Sequence, residues 1–177
     1  MPEDHRSAVP ARVSRGLLLM LNSQRHALAL RHVRRLLPMA TMTPLPLAPA
    51  ALAGLLDLHG QAWPVIDLQI LFGGAATAPT LRTRIALLAS RSTDAAGCPA
   101  CALLLGGTGE VVALPAAAGV EVKPAAAASD PAWTLGVDRA GRLLWLDLPT
   151  VLRRHVQPLL RALARELTDP EPAHASP

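Results

Sequence analysis

The sequence has no tyrosine, one phenylalanine and three tryptophans, so aromatic residues are 2% of its 177 positions. Single-stranded nucleic acids are held on aromatic stacking platforms, and a chain this poor in them has few to offer. Charged residues are also scarce, at 17% against 51% hydrophobic, which excludes a disordered chain and implies a packed globule, although much of the apolar total is alanine, a thin core-former. Long apolar runs are missing as well. The nearest, Gly16 to Leu21, is cut short by Asn22, Gln24, Arg25 and His26 and is followed by no small-residue cleavage pattern. Neither a spanning helix nor a signal peptide is expected, so the chain reads as cytoplasmic with no direct membrane insertion.

Catalytic signatures are absent too. There is no phosphate-binding Gly-x-x-x-x-Gly-Lys loop, and Gly106-Gly-Thr-Gly109 lacks both the lysine and a following helix. No Gly-x-Ser-x-Gly elbow occurs. Cys98-Pro-Ala-Cys101 is the one redox-like motif, but its second cysteine opens an apolar strand rather than a helix. A structural zinc site would need two further thiolates or imidazoles, and the six histidines show no paired spacing. His26, His32 and His155 read as lone surface residues. No catalytic residue, metal site or cofactor is therefore expected, and the chain is read as no enzyme.

What the chain does contain is arginine, with a formal net charge of +4 and short clusters at Arg31, Arg34, Arg35 and at Arg153, Arg154, Arg161, Arg165. Their spread suits solvated faces rather than a phosphate track, so no nucleic-acid partner is expected. The pattern of the rest is mainly β. Leu17 to Asn22 and His26 to Leu30 read as a hairpin. Arg31 to Leu37 carries Val33, Leu36 and Leu37 at helical spacing before Pro38 and reads as a short helical turn. Prolines 44, 46 and 49 make the next stretch an extended connection.

Gly54 to His59 and Ala62 to Ile66 flank Gly60-Gln61, which reads as a two-residue hairpin turn pairing Leu58 with Trp63 and Leu56 with Val65. Leu56, Leu58, Trp63 and Val65 then share the core face, with Asp57 and His59 on the other. Asp67 has core-face parity and reads as the N-cap of a short helix, Leu68 to Phe72, ended by two glycines. Further strands are expected at Arg84 to Ser90 and Cys101 to Leu105, with a short strand or turn at Glu110 to Leu114 and a loop at Lys123 to Pro131. A second hairpin, Thr134 to Asp138 and Arg142 to Leu146, turns at Ala140-Gly141.

The two hairpins echo one another. Each opens near a glycine and returns through Pro-Val-Ile-Asp-Leu or Leu-Trp-Leu-Asp-Leu into a helical segment, as two related halves would. Leu152, Val156, Leu159, Leu160, Leu163 and Leu167 recur at helical spacing to form a terminal amphipathic helix. The expected organisation is a flexible tail at 1–15, a domain over 16–148, a helix over 149–168 and a second tail at 169–177.

Gly54-Leu-Leu-Asp57-Leu-His59-Gly60, then Pro64-Val-Ile-Asp67-Leu68 and Phe72-Gly73, resembles the motif block of the CheW family of chemotaxis coupling proteins. The resemblance takes in Thr43-Pro44-Leu45-Pro46, Arg82 to Ile85 and the Leu135 to Leu148 hairpin, and covers roughly residues 16 to 152. It implies two intertwined, small SH3-like β-barrel subdomains around a shared core, with short helices and no catalysis. The partners it implies are the regulatory domain of a CheA-type histidine kinase and the cytoplasmic tip of methyl-accepting chemoreceptors, in flagellar chemotaxis or a parallel array such as one for pilus-based motility. The receptor-facing positions it implies are Val33, Arg35, Gly54, Asp57 and His59.

The chain departs from that family at three of these positions. Asp57 and His59 stand where the family has Asn and Arg, and Arg35 stands where it has an acid. A titratable imidazole thus replaces a permanent cation, and a base replaces a carboxylate. Charge reversal at an interface chiefly changes partner choice. Two alternatives follow: a CheW-fold protein that scaffolds a different signalling partner, and a redox or metal protein using Cys98 and Cys101, which are no part of the family pattern.

Overall fold

Among the described residues ten strands pair into two five-stranded sheets, and one pairing scheme builds both. The computed structural model describes residues 14–108, 110–114, 133–138 and 141–168. Residues 1–13 of the tail expected at 1–15, the tail at 169–177, the loop at 123–131, the turn residue Ala140 and the side chain of Leu167 lie outside the described residues, whereas Ser14 and Arg15 of the expected tail are strand. In chain order the strands are β1 (Ser14–Leu21), β2 (Gln24–Ala29), β3 (Val33–Pro38), β4 (Leu52–Leu58), β5 (Gln61–Asp67), β6 (Arg84–Leu88), β7 (Ala102–Leu105), β8 (Val111–Leu114), β9 (Trp133–Asp138) and β10 (Gly141–Leu146). Helices are α1 (Leu68–Leu71), α2 (Ser90–Ala95), α3 (Leu148–Val151) and α4 (Gln157–Thr168), the last two joined by a π-helical turn, Leu152–Val156.

One sheet has the order β8-β1-β2-β10-β9 and the other β3-β6-β7-β5-β4. Read along these orders, both run antiparallel, antiparallel, parallel, antiparallel. The echo between the hairpins is thus structural: β4-β5 leads into α1 as β9-β10 leads into α3. The second sheet is built from the middle of the chain, while the first takes its strands from both ends, so the two halves are intertwined. The fold is mainly β, with two sheets, few helices and a C-terminal helix, as expected.

Buried side chains lie on both faces of each sheet, and strand alternation divides them between layers. Ala86, Leu88, Leu103, Leu105 and Ile66 point to a core shared with Leu17, Leu19, Leu21 and Leu28 of the first sheet. Their neighbours Ile85, Leu87, Ala102, Leu104 and Val65 join Leu56 and Trp63 in a layer private to the second sheet. Among the described side chains Ala27, Ala29 and Leu143 form the buried centre of the first sheet's own layer. The terminal helix drives Leu148, Val151, Leu152, Val156, Leu160 and Leu163 into the shared core, with Leu159 packed beside them. Its leucine stripe is core. Pro158 has no N–H for the preceding turn, and the wider π turn ends just before it.

Two elements depart from expectation. The helical turn expected over Arg31 to Leu37 is a 3-10 turn at Leu30–His32 followed by strand β3. β3 bulges at Arg34, so that Val33 opposes Leu88 while Arg35 opposes Leu87. The extra residue breaks the two-residue period and spaces Val33, Leu36 and Leu37 like a helix. The stretch after β6, expected to continue as strand and loop, forms α2.

The lone histidines at 26 and 32 were expected on the surface, and both are buried. His32 Nδ1 lies 2.9 Å from Ser92 Oγ on α2, and His26 Nδ1 lies 3.0 Å from Gln24 O. Burial holds the His26 imidazole below its ordinary pKa, more than the bond to Gln24 raises it. The unfolded chain therefore binds a proton near pH 6.5 that the folded chain resists. Stability is fully present above that pH and is lost as pH falls from it toward the folded value. Urea midpoints measured between pH 7.5 and 5.5 are expected to drop toward acid, with a shallower drop in His26→Gln. An identical slope in both proteins would exclude His26 as the cause.

Candidate partner-binding surface

The β4-β5 hairpin carries three of the five residues singled out in the sequence. Its turn is His59-Gly60, with Leu58 opposite Gln61 and Leu56 opposite Trp63, one residue from the expected Gly60-Gln61 turn. Both turn residues take positive φ, 55° and 81°, as the hairpin-forming type I′ turn requires. Histidine tolerates that conformation better than most residues with a β-carbon. Asp57 supports it, since its Oδ1 accepts a hydrogen bond from the Gly60 N–H at 2.8 Å. The faces survive the correction: Leu56, Trp63 and Val65 are buried with Leu58 packed against them, while Asp57 and His59 are exposed.

Gly54 differs from its neighbours. It is buried, with φ of 147°, and a β-carbon built on it would lie 2.8 Å from the Thr43 carbonyl oxygen. Thr43 and Leu55 exchange two backbone hydrogen bonds of 2.8 Å across this contact, so the chain leaving β3 lies directly on β4. Close backbone approach is what demands glycine here.

Val33 and Arg35 stand on β3, at the opposite end of the sheet's strand order from β4. Val33 is half-buried and packs on the shared core, whereas Arg34, Arg35 and Leu36 are exposed along an edge strand. Of the five residues, then, Asp57, His59 and Arg35 present side chains to solvent. Arg34 and Leu36 join them, and the bulge that exposes them hid them in the sequence. An edge with unpaired backbone groups can accept another strand, while its arginines and Pro38 discourage indiscriminate pairing.

Asp67 is no part of this surface. It caps α1 as expected, its Oδ1 accepting from the Gln69 N–H at 2.9 Å. The same carboxylate also takes the Thr77 N–H and hydroxyl, each at 2.7 Å, and so fastens the returning connection. Gln69 of α1 and Phe72 just after it in turn receive the Asn22 turn of the first sheet, Asn22 Nδ2 donating to Phe72 O at 2.8 Å. Cys98 and Cys101 lie in the shared core.

Among the described residues no group of three or more histidine, cysteine or acidic side chains is placed to hold a metal ion. Nor is any helix among them long and apolar enough to cross a membrane. The comparison with curated proteins returned no match. Among solved structures, the chain is similar to the scaffolding protein TtCheW from Thermoanaerobacter tengcongensis, with a TM-score of 0.62 and 17% identity over 76% of this chain and 89% of that one. The CheW-like domain model matches residues 15–154, a span that takes in both sheets and reaches the terminal helix. The chain therefore belongs to the CheW-like domain family.

Proposed function

We propose that this chain is a non-catalytic, cytoplasmic chemosensory adaptor that couples the cytoplasmic tips of chemoreceptors to the regulatory domain of a CheA-type histidine kinase. The family match over residues 15–154 carries the reading. The arrangement of exposed groups supports it, since the second sheet offers a charged hairpin turn at Asp57 and His59 and an arginine-bearing edge at β3. In this reading Arg35, Asp57 and His59 contact the receptor, while Gly54 and Val33 hold their strands in place.

The exposed base at Arg35 also favours a second reading, in which the same surface scaffolds a different signalling partner. Binding of receptor-tip fragments from the same cell separates the two. The charge-reversing variants Arg35→Glu and Asp57→Lys are expected to weaken binding about tenfold or more, whereas Arg25→Glu on the other sheet leaves it unchanged. Receptor binding that ignores both reversals removes this surface from the interface. Absence of receptor binding in the native protein favours the second reading.

A further inference from the structure

We propose that Cys98 and Cys101 form a reversible disulfide by exchange with low-molecular-weight disulfides of the glutathione class. The two residues bracket a tight loop between α2 and β7, and both ends of that loop are pinned. The Cys98 N–H donates to Thr93 O at 2.8 Å, and the Cys101 carbonyl accepts from the Leu88 N–H at 3.3 Å. Between these anchors the thiols meet and share a hydrogen bond. Both are free thiols buried in one cluster of the shared core with two residues between them, a spacing a disulfide can bridge.

The surroundings divide the labour between the two sulfurs. Cys98 lies beneath the exposed residues Gly97, Pro99 and Ala100, and Cys101 lies deeper, with no exposed surface. The bond from Cys101 holds the Cys98 thiol below its ordinary pKa despite burial, and the Arg161 guanidinium on α4 acts in the same direction. That bond and burial push Cys101 upward. Cys98 is therefore the attacking thiolate and Cys101 the resolving thiol.

In the first step the Cys98 thiolate attacks one sulfur of oxidised glutathione, forming a mixed disulfide and releasing one glutathione thiolate. In the second, Cys101 loses its proton, attacks Cys98 Sγ and displaces the second glutathione. Two protein thiols are oxidised and one small disulfide is reduced to two thiols. The loop so closed is tied to the terminal helix, since Gln157 Nε2 donates to Gly97 O.

The test treats the native full-length chain with oxidised glutathione, alkylates the remaining thiols and weighs the product. The expected result is loss of both alkylatable thiols with loss of two hydrogens, reversed by dithiothreitol. Cys101→Ser is expected to stop at a stable glutathione adduct on Cys98, while Cys98→Ser takes up none under the same exposure. The proposal is overturned if the native protein keeps both thiols and is oxidised only in denaturant, which needs no variant to fold. Equal adduct formation by the two single variants overturns the division of roles. Neither readout involves a kinase or receptor, so the outcome is independent of the adaptor reading.

Discussion

Asp67→Ala is expected to cost on the order of 3–4 kcal/mol and to lower the melting temperature by about 10 °C. Loss of an N-cap alone costs about 1 kcal/mol. Here the carboxylate also satisfies the Thr77 N–H and hydroxyl in a buried position, and stranding buried donors costs about 1–3 kcal/mol more. Asp67→Asn retains one carboxamide oxygen for Gln69 or Thr77 but turns an NH2 toward a donor, so an intermediate loss is expected. Urea unfolding of both variants checks the ordering. A loss below about 1 kcal/mol for alanine would show that Asp67 does no more than cap α1.

Gly54→Ala is expected to cost about 3 kcal/mol without touching a partner. The added β-carbon meets the Thr43 carbonyl at 2.8 Å and Met42 Cβ at 3.1 Å, and the φ of 147° is strained for any residue with a side chain. Relief requires the connection after β3 to lift, which breaks its paired hydrogen bonds to Leu55. Packing against the Thr43 backbone is thus enough by itself to demand a glycine in this motif block. Thermal unfolding of Gly54→Ala beside Asp57→Lys separates the two cases, because the exposed Asp57 is expected to shift the melting temperature by only a few degrees. Equal stability of Gly54→Ala and the native protein would mean that the close approach to Thr43 is absent in solution.

Much of this architecture could be read directly from residue pattern. Alternation placed Leu56, Trp63 and Val65 in the core, the echo of the two Asp-Leu returns foretold two related halves, and the leucine period foretold the amphipathic helix. The failures have local physical causes. The bulge at Arg34 disguised β3 as a helical turn. His59 entered a left-handed conformation that sequence reading reserved for glycine, which moved the hairpin turn by one residue. The D-x-x-G spacing of Asp57 and Gly60 was the available signal, since an aspartate side chain commonly bonds the backbone just beyond it. Burial of His32 depended on Ser92, sixty positions away, and no local pattern records such a pairing. Of the candidate surface, the exposure of Asp57 and His59 followed from strand parity, whereas that of Arg34 and Leu36 followed from the bulge and the edge position of β3.

The central claim is that the chain uses its CheW-like fold as an adaptor. Calorimetric titration against the regulatory domain of a CheA-type kinase from the same cell tests it most directly. The expected result is saturable binding at micromolar affinity or tighter. No binding to any such domain, with the protein demonstrably folded, would contradict it.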